Sequence, residues 1–318
     1  MLAQNPSTRA TISPSTASAP IEHAERQYQS FPGSQYVLPS DTTESDRISF
    51  SEELTDTNAS RLALQHRVLI RAFEDRLILP PVVISGEESI LDSGTGSGIW
   101  VLDAMSRLPA SVKLYGVDIE SRLFPIENES VISRGNTHFS VDTITKLPME
   151  WSDTFAIINQ RLLVAALQSA EWEAAAREMY RCLVPGGWVQ LGEVGPWKAG
   201  PVTHKHHSLV HTLFASKGLL LDCAEYIPAL LRNAGFINVY TEERAIPVGE
   251  WAGEVGIDGR DNFIGVFRGM KTPILNAGGL GYVSTEGELD VLLNDVQKEW
   301  DVTEGAEFKF FIFYAQKP

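Results

Sequence analysis

Apolar positions along this chain change period several times, and each change marks an element. From about residue 44 to 79, Leu54, Ala59, Leu62, Leu64, Leu69, Ile70, Phe73 and Leu77 recur at helical spacing. This predicts a helical lead-in that ends at Pro80-Pro81, where a helix cannot continue. Short β-forming runs then alternate with helix-period segments. They predict strands near 88–92, 113–118, 136–141, 154–159 and 187–193, and helices near 98–108, 121–128, 171–183 and 222–234. Such alternation defines an α/β class, a doubly wound, Rossmann-like sheet. Ile237–Ile246, rich in β-formers, is the natural sixth strand. Glu307-Phe-Lys-Phe-Phe-Ile-Phe-Tyr-Ala315 is the last, with enough apolar residues for burial on both faces.

Between these two strands, residues 247–305 read as an insertion. It holds a helix at Arg260–Met270, a Gly-rich connection (Gly278, Gly279, Gly281) and a helix at Thr285–Val302 opened by the cap-like Ser284-Thr-Glu-Gly-Glu288. The expected plan is a disordered tail over 1–30, rich in Ser, Thr, Ala and Pro. A helical lead-in over 31–81 follows, then a domain over 82–318 in which 247–305 serves as a lid on the substrate pocket.

Length and charge narrow the function. The 318 residues, 43% of them hydrophobic, bury one large core or one core plus a cap. A net charge of −15 with no basic run argues against nucleic acid and anionic membranes as partners. Two cysteines, Cys182 and Cys223, make neither a disulfide framework nor a Cys-rich zinc site. No apolar signal core and no run of about twenty apolar residues is present, so a cytoplasmic location is expected, the nucleus being the second choice. The oligomeric state is not legible.

The chemistry concentrates in Ile90-Leu-Asp-Ser-Gly-Thr-Gly-Ser-Gly98, answered by Asp118 in Leu114-Tyr-Gly-Val-Asp-Ile119. A strand that meets a glycine-dense turn and then a helix lets backbone approach a ligand at the carboxyl end of a sheet. An acid about twenty residues further on, at the tip of the next strand, suits a ribose hydroxyl pair. Ile99 stands where the third glycine of the dinucleotide pattern belongs. Asp92 would repel a pyrophosphate, which wants bare N–H groups. Its carboxylate suits an ammonium-bearing ligand such as S-adenosylmethionine (SAM). The glycines alone are equally compatible with a plain tight turn.

Leu91–Trp100 resembles the L-D-x-G-T-G-x-G-I-W loop of class I SAM-dependent methyltransferases in their fungal secondary-metabolism branch, with Ser93 in place of the usual aliphatic residue. His138-Phe-Ser-Val-Asp142 with Leu147-Pro148 and Trp151 resembles that family's third strand, and Phe155-Ala-Ile-Ile-Asn-Gln-Arg161 its fourth. Arg181-Cys-Leu-Val-Pro-Gly-Gly-Trp188 followed by Val189–Glu193 resembles the segment that closes the core. Tyr36-Val-Leu-Pro-Ser-Asp41, Glu44 and Arg47 resemble the branch's lead-in. The likeness implies a seven-stranded sheet whose last strand inserts antiparallel, and SAM as cofactor. It implies that Asp142 faces the adenine amino group, that Asn159, Gln160 and Arg161 face the cofactor, and that Tyr36 closes over it. The expected cofactor set is thus Tyr36, Asp92, Gly94, Thr95, Gly96, Gly98, Asp118, Ile119, Asp142, Thr143, Asn159, Gln160 and Arg161.

Several residues carry two readings. His204, His207 and His211 share one face of a helix and are the candidate bases; they serve equally as wall or surface histidines. No acid at ligand spacing accompanies them, so no metal is expected. Arg161 suits the cofactor carboxylate or a pairing with Glu193. Trp197, Trp251 and Phe263 line a substrate pocket or simply pack, and Trp100 belongs to the core or the ligand. The leading function is methyl transfer to an O, N or S atom of a small-molecule fungal metabolite. The alternatives are a methyltransferase-like regulator acting through protein partners, and a SAM-binding protein that promotes a cyclisation without methyl transfer.

Overall fold

The apolar runs become seven strands: β1 (Ser89–Ser93), β2 (Lys113–Asp118), β3 (Thr137–Val141), β4 (Phe155–Arg161), β5 (Leu183–Lys198), β6 (Ile237–Pro247) and β7 (Glu307–Gln316). They form one sheet in the order β3-β2-β1-β4-β5-β7-β6. β1 to β5 are parallel, and β7 runs antiparallel between β5 and β6. The order reverses between β1 and β4, and at such a switch point an open α/β sheet leaves a crevice beyond its strand ends. The computed structural model describes residues 34–39 and 61–318, plus the paired two-residue strands Glu22–His23 and Arg26–Gln27. Apart from those four residues, the expected tail over 1–30 lies outside the described residues, as do Asp41, Glu44, Arg47, Leu54 and Ala59.

Nine helices cover the sheet among the described residues: α1 (Arg61–Ala72), α2 (Ile99–Arg107), α3 (Glu129–Arg134), α4 (Ser169–Cys182), α5 (Pro201–Ser216), α6 (Cys223–Asn233), α7 (Gly253–Gly269), α8 (Lys271–Asn276) and α9 (Glu286–Val302). Three depart from the periodic reading. The expected helix over 121–128 is instead a turn-rich approach to α3, because the Asn128 side chain accepts from the Ser130 and Val131 amides (2.9 and 3.4 Å) and starts the helix there. α1 stops at Ala72 rather than running to Leu79, and Glu74 and Asp75 adopt left-handed φ (53° and 62°) just beyond it. α7 begins seven residues ahead of Arg260, in a glycine-rich stretch whose low helix propensity hid it.

Two contacts place the cap. Arg71 Nη2 of α1 meets Asp258 Oδ2 of α7 at 2.9 Å. A Cβ added at Gly269 would lie 3.0 Å from Pro39 and 3.4 Å from Leu38, so the segment before α1 rests directly on α7. The lead-in and the insertion therefore close over the same end of the sheet, the end that carries the crevice.

Candidate active site

The crevice is assembled by strand register. Asp92 pairs with Gly116 on one side and Asn159 on the other. It is buried: Oδ1 accepts from Asn159 Nδ2 and Oδ2 from Thr95 Oγ1, both at 2.7 Å. Asn159 is held in turn by Gln190 Nε2, which donates to its Oδ1 at 3.0 Å. The loop after β1 turns through positive φ at Gly94, Gly96 and Gly98 (75°, 54° and 70°), a conformation that L side chains resist. Gly94 and Thr95 amides donate to Val117 O at 2.8 and 2.9 Å. Gly96 N donates to Asp118 Oδ2 at 2.9 Å, and Glu120 N to Asp118 Oδ1 at 3.1 Å. The two acids singled out in the sequence thus reach one crevice, bolted together by backbone donors.

Burial sets the electrostatics. It pushes the Asp118 carboxyl up to about 6, against the pull of the Gly96, Glu120 and Ile119 amides. It also raises Asp92, against Arg161, Thr95 and Asn159. Arg161, at the tip of β4, is drawn down by burial and held up by the charges of Asp92 and Asp103. No hydrogen bond or ion pair occupies its guanidinium among the described residues, although it lines the crevice. The alternative pairing with Glu193 does not occur. Glu193 is fully buried and takes the Leu163 and Val164 amides at 2.7 and 3.3 Å, and burial pushes its carboxyl up to about 8. It anchors the turn that starts at Leu162, whose φ is 59°.

The crevice opens into a cavity of about 320 Å³ with two contrasting halves. One is polar: Tyr36, Gln65, Asp92, Gly94–Ser97, Asp118–Glu120, Thr143, Thr145 and Arg161 line it. The other is apolar, with Trp197, Val210, Phe214, Phe263, Phe267, Met270 and Phe308 in its wall. α5, α7, β5 and β7 supply most of that wall from positions far apart in the chain.

Most of the expected cofactor set comes together. Tyr36, Asp92, Gly94, Thr95, Gly96, Asp118, Ile119, Thr143 and Arg161 line the cavity. Gly98 lies behind it: a Cβ there would meet Pro125 at 2.8 Å and Phe139 at 3.0 Å. Asn159 and Gln160 also stay behind the wall. Asn159 braces Asp92, and the fully buried Gln160 faces Ser93 Oγ at 3.4 Å. Asp142 is half-exposed at the end of β3, and the residues after it, Thr143 to Thr145, form the wall instead.

The three histidines do not reach the cavity. His204 and His211 are exposed, and His207 touches it only through the Trp197 ring, 4.5 Å between centroids. The reason lies at the start of α5, where Glu299 Oε2 accepts from the amide and hydroxyl of Thr203 at 2.7 and 2.6 Å. Trp300 Nε1 donates to the same hydroxyl at 2.9 Å. That anchor turns Val210 and Phe214 to the cavity and the histidine face away. Trp197 and Phe263 do line it, whereas Trp251 donates to Val248 O (2.8 Å) outside it and Trp100 is core. Among the described residues no group of three His, Cys, Asp or Glu is arranged to hold a metal ion, and no helix is long and apolar enough to cross a membrane.

Sequence reasoning missed Gln65, the Leu162–Leu167 turn, Phe267 and Met270. Gln65 sits one helical turn after Arg61 on the crevice side of α1, and Phe267 and Met270 continue the stripe that Phe263 begins on α7. This periodicity was available as a signal, although its partner was not.

Residues 90–187 match the family described as a methyltransferase domain. The chain is 30% identical over 276 residues to the N-methyltransferase sirN of Leptosphaeria maculans, covering 83% of this chain and 93% of that protein. It is 30% identical over 311 residues to the methyltransferase pytC of Aspergillus terreus (strain NIH 2624 / FGSC A1156), covering 92% and 86%. Among solved structures, the phosphoethanolamine N-methyltransferase 2 of Haemonchus contortus in complex with S-adenosyl-L-methionine aligns at a TM-score of 0.47 and 17% identity, over 86% of this chain and 60% of that one. The chain belongs to the class I SAM-dependent methyltransferases, in the group of fungal secondary-metabolism enzymes. It is a SAM-dependent methyltransferase, and SAM is its cofactor.

Proposed function

We propose that the chain methylates an oxygen, nitrogen or sulfur atom of a small-molecule fungal secondary metabolite. The observation that carries this reading is one continuous cavity whose acid-lined half opens straight into an apolar half. The polar half fits the cofactor's chemistry. The unoccupied guanidinium of Arg161 would hold its carboxylate, Asp92 would lie on the ammonium side, and Asp118 would take the ribose hydroxyls. Ile119, Thr143 and Thr145, with Tyr36 and Gln65 from the lead-in, would supply the surface for the adenine. Bound there, the cofactor supplies a methyl group already activated on a cationic sulfur, which leaves the protein the tasks of alignment and water exclusion.

The chain's own residues perform those tasks. The turn held by Glu193 puts Leu162–Leu167 in the cavity wall, where it would border the meeting of acceptor atom and methyl group. The insertion over 247–305 supplies Phe263, Phe267 and Met270 to the acceptor side, which supports its role as a lid. The histidines of α5 stand off, so alignment rather than a histidine base carries the rate. The relative from Leptosphaeria maculans is by name an N-methyltransferase, so nitrogen is the first acceptor atom to test.

The experiment incubates the full chain with methyl-deuterated SAM and fungal metabolite extract, and follows products by mass spectrometry. A product carrying one labelled methyl group supports the reading. Cofactor binding with product formation but no label transfer would replace it with the cyclisation reading.

A further inference from the structure

Neighbouring residues of α1 serve two faces. Arg61, Leu62 and Gln65 line the cavity, so the helix is part of the cofactor's enclosure. His66, about 100° further round the helix, is buried instead. Its Nε2 lies 2.9 Å from Asp103 Oδ2 of α2. Burial and the Arg161 charge hold the imidazole below its ordinary value, with Asp103 opposing them. Burial pushes the Asp103 carboxyl up, but bonds from His66 and Arg107 outweigh it and hold the group below the usual carboxylate range. At neutral pH an uncharged ring therefore donates Nε2–H to an ionised carboxylate, the strong kind of hydrogen bond.

Asp103 also reaches the far end of α1. Its Oδ1 accepts from Arg107 Nε at 2.7 Å, and Arg107 donates to the main-chain oxygen and the side chain of Asp75 at 2.7 and 2.9 Å. Asp75 belongs to the left-handed turn just beyond the helix. One carboxylate thus grips α1 at its middle and, through Arg107, at its end. α2, which carries Asp103, starts at Ile99, directly after the glycine loop. Ile70 of α1 packs on the apolar cluster that holds Trp100, Val101 and Ala104. Burial of that kind has no direction and tolerates small rotations of a helix. The directed bond from His66 fixes the rotation, and with it which residues of α1 face the cavity. The Arg161 charge acts on both His66 and Asp103, so the pair lies close to the guanidinium of the polar half.

We propose that His66 is a positioning residue for cofactor capture: bonded to Asp103, it locks α1 onto the helix of the glycine loop so that Gln65 closes on the bound cofactor. The inference rests on the cofactor lying in this cavity and adds the device that keeps it there.

The test uses the full chain with S-adenosylhomocysteine as probe. Calorimetry on the unaltered protein comes first. Absence of binding at that stage would overturn the cofactor's placement and this inference together, before any variant is made. His66→Phe keeps a buried ring and removes the donor. It should weaken S-adenosylhomocysteine about tenfold, as expected for one hydrogen bond to a charged group. Most of that loss should appear as faster dissociation in stopped-flow competition. Amide hydrogen exchange over α1 should quicken in the same variant. His66→Gln, whose amide N–H can reach the same carboxylate, should recover affinity to within about threefold of the unaltered chain. Asp103→Asn, which removes the charge and one of the two acceptor oxygens, should repeat the tenfold loss and carries the test if His66→Phe does not fold. Unchanged affinity in the variants that fold, whatever their melting temperatures, would overturn the inference and leave the cofactor's placement intact. So would an equal loss in His66→Phe and His66→Gln, or exchange over α1 that does not change.

Discussion

The two halves of the cavity bind by different physics. In the polar half, carboxylates and amides hold one another in place: Gly96 on Asp118, Thr95 and Asn159 on Asp92. Its groups are few, directional and buried, and burial moves their protonation equilibria. In the apolar half, the wall is aromatic rings that pack against each other, with no ion among them. Loss of one hydrogen-bonding group from a buried site costs its partner's desolvation as well, whereas loss of one ring from a packed wall is shared among its neighbours. The polar half should therefore be brittle and its partner graded, and mutation can break or sharpen that contrast.

The largest effect is expected at Asp118. Asp118→Ala removes two charge-assisted hydrogen bonds of about 1.5–3 kcal/mol each and should weaken S-adenosylhomocysteine binding by about 100-fold or more in calorimetry. The same carboxyl gives a pH signature. Its raised value of about 6 means that protons compete with the ribose hydroxyls, so affinity should be flat well above that pH and fall as pH drops through it. Asp118→Asn should lack this dependence. Next comes Arg161→Gln, which removes a cavity-lining guanidinium that has no partner among the described residues. A loss of about tenfold in cofactor affinity is expected, and an unchanged value would reassign the residue to bracing Asp92.

Smaller effects belong to the apolar half. Phe267→Leu should raise the acceptor KM by a few-fold, on the order of 0.5–1.5 kcal/mol, and leave cofactor affinity alone. A matching loss of cofactor affinity would mean that the two halves are coupled. The smallest change is expected from His204→Ala and His211→Ala. Both side chains are exposed, so kcat/KM should stay within about twofold. A loss of about 100-fold or more would restore the histidine-base reading.

The contrast also explains what was legible in the chain. The strand positions and the Asp92–Asp118 crevice follow from short-range signals, a turn chemistry, a spacing and a change of period, whereas the antiparallel insertion of β7 was implied only by the family resemblance. Asn159 and Gln160 carried a polar signal at a strand end, but the sign of their direction did not show. The resemblance had both facing the cofactor, yet Asp92 and Gln190 hold the Asn159 side chain and Ser93 meets that of Gln160. The histidine stripe was real as periodicity and silent about orientation, because Glu299 and Trp300, nearly a hundred residues away, set the rotation of α5. The acceptor wall was the least readable region, since Trp197, Phe263 and Phe308 meet only once β7 has inserted beside β5.

The central claim is that one cofactor lies across Asp92, Asp118 and Arg161 with its sulfur facing the aromatic half. A crystal of the full chain grown with S-adenosylhomocysteine tests it most directly. The account predicts ribose hydroxyls on the Asp118 carboxylate, the carboxylate on Arg161, and the sulfur at the border formed by Leu162–Leu167. Density for the nucleoside elsewhere, or a sulfur turned away from Trp197, Phe263 and Phe308, would contradict it.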